Sequence, residues 1–425
     1  MSLTLEHQIR GWCPGALRPM QSGDGLIVRL RPYSGAFSAA DLHLIAKISM
    51  AYGNGLIDLT RRANLQLRGI GEDVLPDLWH VLADVGLLDE TAEAESVRNV
   101  MLNPLAGIDP CERADLRAVA DGIEQRLAAN PALWQLAGKF GFLIDGGGLL
   151  PLAAERADIR LTAIDGTRLA IGLDRQDDID SSIDWLGAVA IEDGAALAVR
   201  AASLFLDHRP NARARMRDLT GAAYGSLRQA LTTVLEPMAS APGEESRPPM
   251  LGPIYSDDRI VGFGLASAFG RIEAPALLTL TDPTAMLGIS EFRLSPWRAL
   301  YGAVENADTA EALRQRASET GFILDADDPL LAIDACPGAP GCASARCDTR
   351  AAARAIAPRL AQLGYRSCHI SGCAKGCARS AKADLVLIGE DGGFDVVHDG
   401  TAGDRPERRL AARDVSRLPA SRETV

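Results

Sequence analysis

Hydrophobic and polar residues alternate from Gly25 to Arg31. Leu26, Val28 and Leu30 fall on one side and Ile27, Arg29 and Arg31 on the other, the period of a strand with one polar-edged face. Ser38-x-x-Asp41 then reads as a capping-box start to a helix whose apolar stripe is Leu42, Ile45, Ile48 and Tyr52. A second strand is expected from Leu56 to Thr60. Beyond it Arg62, Asn64, Gln66 and Arg68 are expected to share one strand face, with Leu65 and Leu67 on the other. A similar plan returns in degenerate form, with a strand over Val261 to Ala266, an apolar stretch over Ala274 to Leu280, and Glu291 to Arg298 closing it. The segments behind each copy correspond as well. Asn99 to Gly107, a helix and Lys139 to Gly147 are answered by Ala335 to Cys342, a helix, the Cys373/Cys377 loop and Leu385 to Gly393. An internal duplication of roughly two hundred residues explains both sets, with chance likeness of two α+β patterns as the alternative. Ala239 to Pro249, rich in proline and polar residues, reads as the linker between the copies.

Composition narrows the class. The chain has 425 residues, 47% hydrophobic and 24% charged, enough for two or three domains with sizeable cores. A net charge of −12 argues against nucleic-acid binding, while a local arginine cluster could still hold a small anion. No apolar run long enough for a membrane span is present, and Met1 to Gln8 lacks the basic and apolar regions of a signal peptide. Eight cysteines in a chain of this length suit a reducing cytoplasm rather than a disulfide scaffold.

The strongest chemical signal is Cys336-x5-Cys342 followed by Cys373-x3-Cys377. Thiolates grouped this way hold a soft metal centre, and the spacing favours an iron–sulfur cluster over a zinc knuckle. Zinc and metal-free thiols stay open as alternatives. Both loops are rich in small residues, which lets backbone N–H groups approach an inorganic core. His369 reads as a packed structural histidine, with a ligand or donor role as the alternative. Cys347 and Cys368 read as buried thiols, and His43 and His80 as structural residues of helices. Gly146 to Gly148 reads as a turn, and no strand-Gly-x-Gly-x-x-Gly-helix unit for a nicotinamide or flavin is present.

These motifs resemble the sulfite/nitrite reductase superfamily over most of the chain, from about Gly25 to Gly393. The resemblance implies an α+β, duplicated, pseudo-two-fold fold with two ferredoxin-like half-domains and two larger α+β half-domains. The expected units are 11–75, 95–235, 250–320 and 325–400, with 401–425 as a loose tail. It also implies a [4Fe–4S] cluster on Cys336, Cys342, Cys373 and Cys377. Leu59-Thr-Arg-Arg62 with Gln66 and Gly69 is similar to the strand that sets an arginine, here Arg62, against macrocycle carboxylates. Arg98-Asn-Val100 is similar to a second arginine site. Leu136-Ala-Gly-Lys-Phe140 is similar to the segment that carries basic residues onto a bound anion, with Lys139 as its match. Sulfite reductases typically supply an arginine and two lysines there, but this chain has Gly138 and Gly141 at two of those positions.

Within the superfamily the chain is similar to the precorrin-3B synthase family. The likeness lies in Gly11 to Gly15, Met20 to Leu26, Arg98 to Val100, Asn103 to Pro110, Lys139 to Phe142, Asp145 to Gly148, Ser295 to Arg298, Cys336 to Pro340 and His369 to Cys377. That resemblance implies a dioxygen-dependent monooxygenase converting precorrin-3A to precorrin-3B in aerobic cobalamin biosynthesis, with C20 hydroxylation and γ-lactone formation. Arg62, Arg68, Arg98 and Lys139 become the candidate substrate-binding residues, with Arg29, Arg31 and Arg298 as weaker ones. The resemblance further implies a mononuclear non-haem iron and an external electron donor, either an NADH-dependent reductase or a ferredoxin. No facial set of iron ligands, and no catalytic residue, is legible from spacing. A sirohaem-dependent sulfite or nitrite reductase is the alternative reading, and a non-catalytic tetrapyrrole carrier a third.

Overall fold

The computed structural model describes residues 13–176, 181–243, 249–282 and 288–418. The first unit comprises β1 (Met20–Ser22), β2 (Gly25–Leu30), β3 (Ala36–Ser38), α1 (Ala39–Tyr52), β4 (Leu56–Leu59), β5 (Leu65–Ile70) and α2 (Leu75–Asp84). The second comprises α3 (Ala92–Val97), β6 (Val100–Leu102), α4 (Arg117–Ala129), β7 (Phe142–Asp145), β8 (Ile159–Ala163), β9 (Arg168–Gln176), β10 (Ser181–Ala190), α5 (Ile191–His208) and α6 (Gly221–Thr232). The third comprises β11 (Gly252–Ser256), β12 (Arg259–Ala266), β13 (Arg271–Glu273), α7 (Ala274–Leu280), β14 (Glu291–Leu294), β15 (Ala299–Ala303) and α8 (Ala307–Glu319). The fourth comprises β16 (Ile333–Ala335), α9 (Thr349–Leu360), β17 (Cys368–Ser371), β18 (Ala383–Glu390), β19 (Gly393–Gly400) and β20 (Arg408–Ala411).

Two sheets show the duplication directly. In the second unit β6, β7 and β8 run parallel, and β9 and β10 return antiparallel; in the fourth β16, β17 and β18 run parallel, and β19 and β20 return antiparallel. The other two sheets have matching orders, β1-β2-β5-β4-β13 and β11-β12-β15-β14-β3. Each contains one short strand from the opposite copy. Ile272 pairs with Ile57 across β13 and β4, and Phe37 with Phe292 across β3 and β14. This exchange lets the first and third units share a single core, in which Leu30, Leu42, Ile57 and Leu65 pack with Phe263, Leu277 and Phe292. The second and fourth units bury separate cores.

Local chemistry explains the element ends that frame the site. Ser38 Oγ accepts from Asp41 N while Asp41 Oδ2 accepts from Ser38 N, so α1 starts at the expected capping box. The strand expected to carry Arg62 begins later, at Leu65. Thr60 Oγ1 accepts from Arg62 N and Asn64 N, and Ala63 sits at φ 51°, so residues 60–64 form a tight turn. Arg62 therefore lies on a turn and does not share a strand face with Arg68. A second correction concerns the tail expected over 401–425. Through Leu418 it belongs to the fold: β20 pairs with β19, and Val415 and Leu418 are buried against α9 and its sheet. Residues 419–425, Gly11 and Trp12, and the centre of the expected linker lie outside the described residues.

Candidate active site

The four motif cysteines lie on two loops at the ends of parallel strands. Cys336 follows β16 and is buried; Cys342 and Cys373 are half-buried, and Cys377 is exposed. The carbonyl of Cys336 accepts from Thr349 Oγ1 at 2.6 Å, and the amide of Gly372 donates to Cys336 Sγ at 3.2 Å. Partial burial pushes the Cys377 thiol upward, and the neighbouring Cys373, Cys336 and Cys342 push it further, so all four sulfurs occupy one electrostatic neighbourhood. Among the described residues no three His, Cys, Asp or Glu side chains close to the spacing of a single metal ion. The donor chemistry fits a thiolate-ligated cluster: four sulfurs on two parallel-strand loops, with a backbone N–H aimed at one of them. Cys368 is fully buried and its thiol is raised by burial, as expected of an inert core cysteine; Cys347 is half-buried and raised to about 11, chiefly by burial. His369 is fully buried with neither ring nitrogen hydrogen-bonded, and burial pushes its pKa down to about 4.

The first copy supplies the support for the Cys342 loop. Ser22 Oγ and Arg68 Nη2 each donate to the carbonyl of Gly341 at 3.0 Å. A Cβ on Gly23, in the β1–β2 turn, would lie 2.7 Å from the amide nitrogen of Ala343, so glycine permits this close approach. Arg68 is buried, is forked onto Asp24 at 2.7 and 2.8 Å, and lies 3.4 Å from Asp58. It braces the cysteine loop against the first unit.

The other expected basic residues separate into two kinds. Arg98 is buried. Its Nε and Nη2 bond Asp89, its Nη1 and Nη2 bond the carbonyls of Pro32 and Arg31, and it lies over the Tyr33 ring. Arg31 is likewise buried, against Glu95 at 2.6 Å. Arg62 differs: among the described residues its guanidinium has no hydrogen bond or ion pair. Burial and then the nearby Arg215 charge lower its pKa. Its Nη1 would meet a Cβ on Gly141 at 3.4 Å. Arg29 has an unpartnered Nε, and burial, reinforced by the Arg31 charge, lowers its pKa to about 10, so it stays charged at neutral pH. Cys13 lies beside Arg29 and Arg62 and packs against Gly138, whose Cβ would be 3.9 Å from the Cys13 Cβ. Lys139 is exposed on the same segment. Arg29, Arg62, Cys13 and Lys139 thus gather around Gly138 and Gly141.

A further cluster was not legible in the sequence. Asp334, on β16, receives Arg61 at 2.6 Å, Arg298 at 3.2 Å and Arg379 at 3.0 Å. Burial works to raise the Asp334 carboxyl, but the Arg61 and Arg298 charges outweigh it and hold the pKa below the ordinary value. Arg298 also donates to the carbonyl of Ala378, next to Cys377. Strand alternation predicts which face a residue takes, but not a partner 273 positions away, as for Arg61 and Asp334. Two cavities, of about 350 Å³ beside Arg293 and about 610 Å³ beside Arg168, contain none of the residues expected to act.

Residues 18–85 match the family model of the nitrite/sulfite reductase ferredoxin-like half domain. The solved structure of the NirA protein of Mycobacterium tuberculosis matches with a TM-score of 0.75 at 22% identity, over 92% of this chain and 79% of that one. The fold is therefore that of the nitrite and sulfite reductases. A precorrin-3B synthase from a Sinorhizobium species is 33% identical over 409 residues, covering 95% of this chain and 86% of that protein. A ferredoxin-type sulfite reductase from Mycolicibacterium paratuberculosis is 25% identical, over 89% of this chain and 71% of its own length. The chain belongs to the precorrin-3B synthase family, a branch of these iron–sulfur oxidoreductases.

Proposed function

We propose that this protein converts precorrin-3A to precorrin-3B as a dioxygen-dependent monooxygenase. The observation that carries the reading is the 33% identity to a precorrin-3B synthase across 95% of the chain. The overall reaction inserts one oxygen atom of O2 at C20 and closes the ring A acetate as a γ-lactone onto C1. The other oxygen leaves as water, with two electrons and two protons from an external donor. Cys336, Cys342, Cys373 and Cys377 would hold a [4Fe–4S] cluster; the resemblance also implies a mononuclear non-haem iron, for which the described residues offer no three-ligand set of His, Cys, Asp or Glu. When bound, these centres supply the one-electron chemistry that triplet dioxygen requires.

The protein's own residues bind and orient the substrate. A precorrin is edged with carboxylates, and a guanidinium meets a carboxylate with two parallel N–H donors. Arg62, together with Arg29, is the substrate-facing cation of this account, because its guanidinium makes no ion pair among the described residues and Asp158, already paired with Arg215, acts on it only at longer range. Lys139, exposed on the adjoining segment, adds a mobile positive charge. Arg68 and Arg98 act one step behind, as braces whose donors already meet Asp24 and Asp89. Gly138 and Gly141 support a substrate other than sulfite. A compact oxyanion needs several convergent donors, and at these positions the wall offers Cys13 and Arg62 instead. The electron donor is a separate NADH-dependent reductase or a ferredoxin. None of the eight cysteines pairs in a disulfide, in keeping with a cytoplasmic setting, and no helix among the described residues is long and apolar enough to cross a membrane.

Sirohaem-dependent reduction is the second reading, supported by the 25% identity to a sulfite reductase. The visible spectrum of the protein as purified separates the two. Iron–sulfur absorbance without macrocycle bands is expected. Strong sirohaem bands at one equivalent per chain would move the assignment to the reductases.

A further inference from the structure

We propose that Arg61, Arg298 and Arg379 form a second carboxylate-binding subsite for the tetrapyrrole, beside Cys377 and distinct from the Arg29/Arg62 wall. The proposal rests on the reading of the substrate as a polycarboxylate macrocycle and adds where its rim is held on the cluster side.

Three guanidinium groups converge on the single carboxylate of Asp334, which leaves two positive charges beyond what it neutralises. Glu155 is the other carboxyl near Arg61; burial pushes its pKa up and the Arg61 charge pulls it down, and even with Glu155 charged the three guanidinium groups outnumber the two carboxylates. This surplus sits in a chain whose net charge is −12, so it is a local feature and not a general excess of basic residues.

Arg298 spends Nη1 on Asp334 and Nη2 on the Ala378 carbonyl, and Arg379 spends Nη1 on Asp334 and Nε on the Lys382 carbonyl. Arg61 bonds both oxygens of Asp334 through Nη2 alone, and 49% of its side chain is exposed. Its Nε and Nη1 carry no hydrogen bond among the described residues and stay available as separate donors to a guest carboxylate. Asp334 then acts as the anchor that holds Arg61 in place before the guest arrives.

Arg61 follows β4, and Arg298 occupies the pseudo-equivalent turn after β14. Ala63 and Arg298, one in each turn, have left-handed φ values of 51° and 60°. A long side chain in that region is uncommon, and such outliers concentrate at ligand-binding positions. Room for it comes from Gly270, where a Cβ would lie 2.7 Å from the Arg298 Cδ. Arg61 and Arg62 are neighbours that part company: Arg62 reaches the second unit at Gly141, and Arg61 the fourth at Asp334. A disc-shaped ligand with carboxylates around its edge can be gripped from both sides by such a pair.

The test is equilibrium binding of uroporphyrin, an unreactive octacarboxylate, to cluster-loaded full-length protein, followed by fluorescence quenching. Arg61→Gln should weaken binding about tenfold or more, the effect of losing a contact worth about 1.4 kcal/mol. Cluster absorbance should stay at the wild-type level, because Arg61 is half-exposed. Arg298→Gln should weaken binding similarly, and Arg62→Gln serves as the control on the opposite wall. Wild-type affinity in both Arg61→Gln and Arg298→Gln, with binding lost in Arg62→Gln, overturns the subsite and leaves the substrate reading standing. Failure of the wild-type protein to bind uroporphyrin overturns both.

Discussion

Asp58 sits at the centre of a second three-arginine arrangement. Arg271 forks onto it at 2.7 and 2.8 Å, and Arg68 and Arg350 lie at 3.4 and 3.5 Å. Burial works to raise its pKa, and Arg271, Arg350 and Arg68 outweigh burial and hold it below the ordinary 3.8. Removing one partner of a buried ion pair leaves charge without compensation and costs about 3–5 kcal/mol. Asp58→Asn should lose stability of that order at neutral pH, measured by denaturant unfolding. The sign of the pH dependence follows from the depressed folded value. The contribution of Asp58 is fully present above its unfolded pKa and is lost as pH falls through the folded one. The gap between wild type and variant should therefore be constant near neutrality and shrink in acid. A gap that widened on acidification would contradict the assignment. None of this was legible in the sequence, where Asp58 reads as one polar residue in a strand.

At the scale of elements, the sequence carried the strands with strong alternation and the capped helix α1. It did not carry β3 and β13, which have three residues each and no periodicity to detect. Those two strands link the copies, because each completes the sheet of the other. The expected boundaries at 75 and 250 describe where the chain turns, whereas the shared core crosses them. A chain cut in the 239–249 linker should therefore give an N-terminal fragment in which the exposed edge of β4, and β3 itself, exchange amide hydrogens quickly. Strands β6 to β9, with a core of their own, should stay protected. Mixing the two fragments should restore protection at β4. Full protection of β4 in the lone fragment would show that the exchange of strands is dispensable.

For the molecule as a whole, the cysteine spacing and the duplicated plan were enough to anticipate the architecture, since both are patterns of residue type along the chain. The placement of the cations was not, because alternation gives a face and says nothing of what opposes it. Arg98 matched a family position as well as Arg62 did, and Arg68 was a candidate beside them, yet of the three only Arg62 makes no ion pair with a carboxylate among the described residues. The molecule that results has four neighbouring cysteines in one copy and two unevenly neutralised arginine clusters near the junction of the copies. The most direct test is turnover of precorrin-3A by the cluster-loaded protein under labelled dioxygen with a reductant and donor protein, read by mass spectrometry. A product heavier by one oxygen atom, with that atom drawn from dioxygen, is the predicted result. Unchanged precorrin-3A with the cluster intact, or a product oxygen drawn from water, would contradict the account.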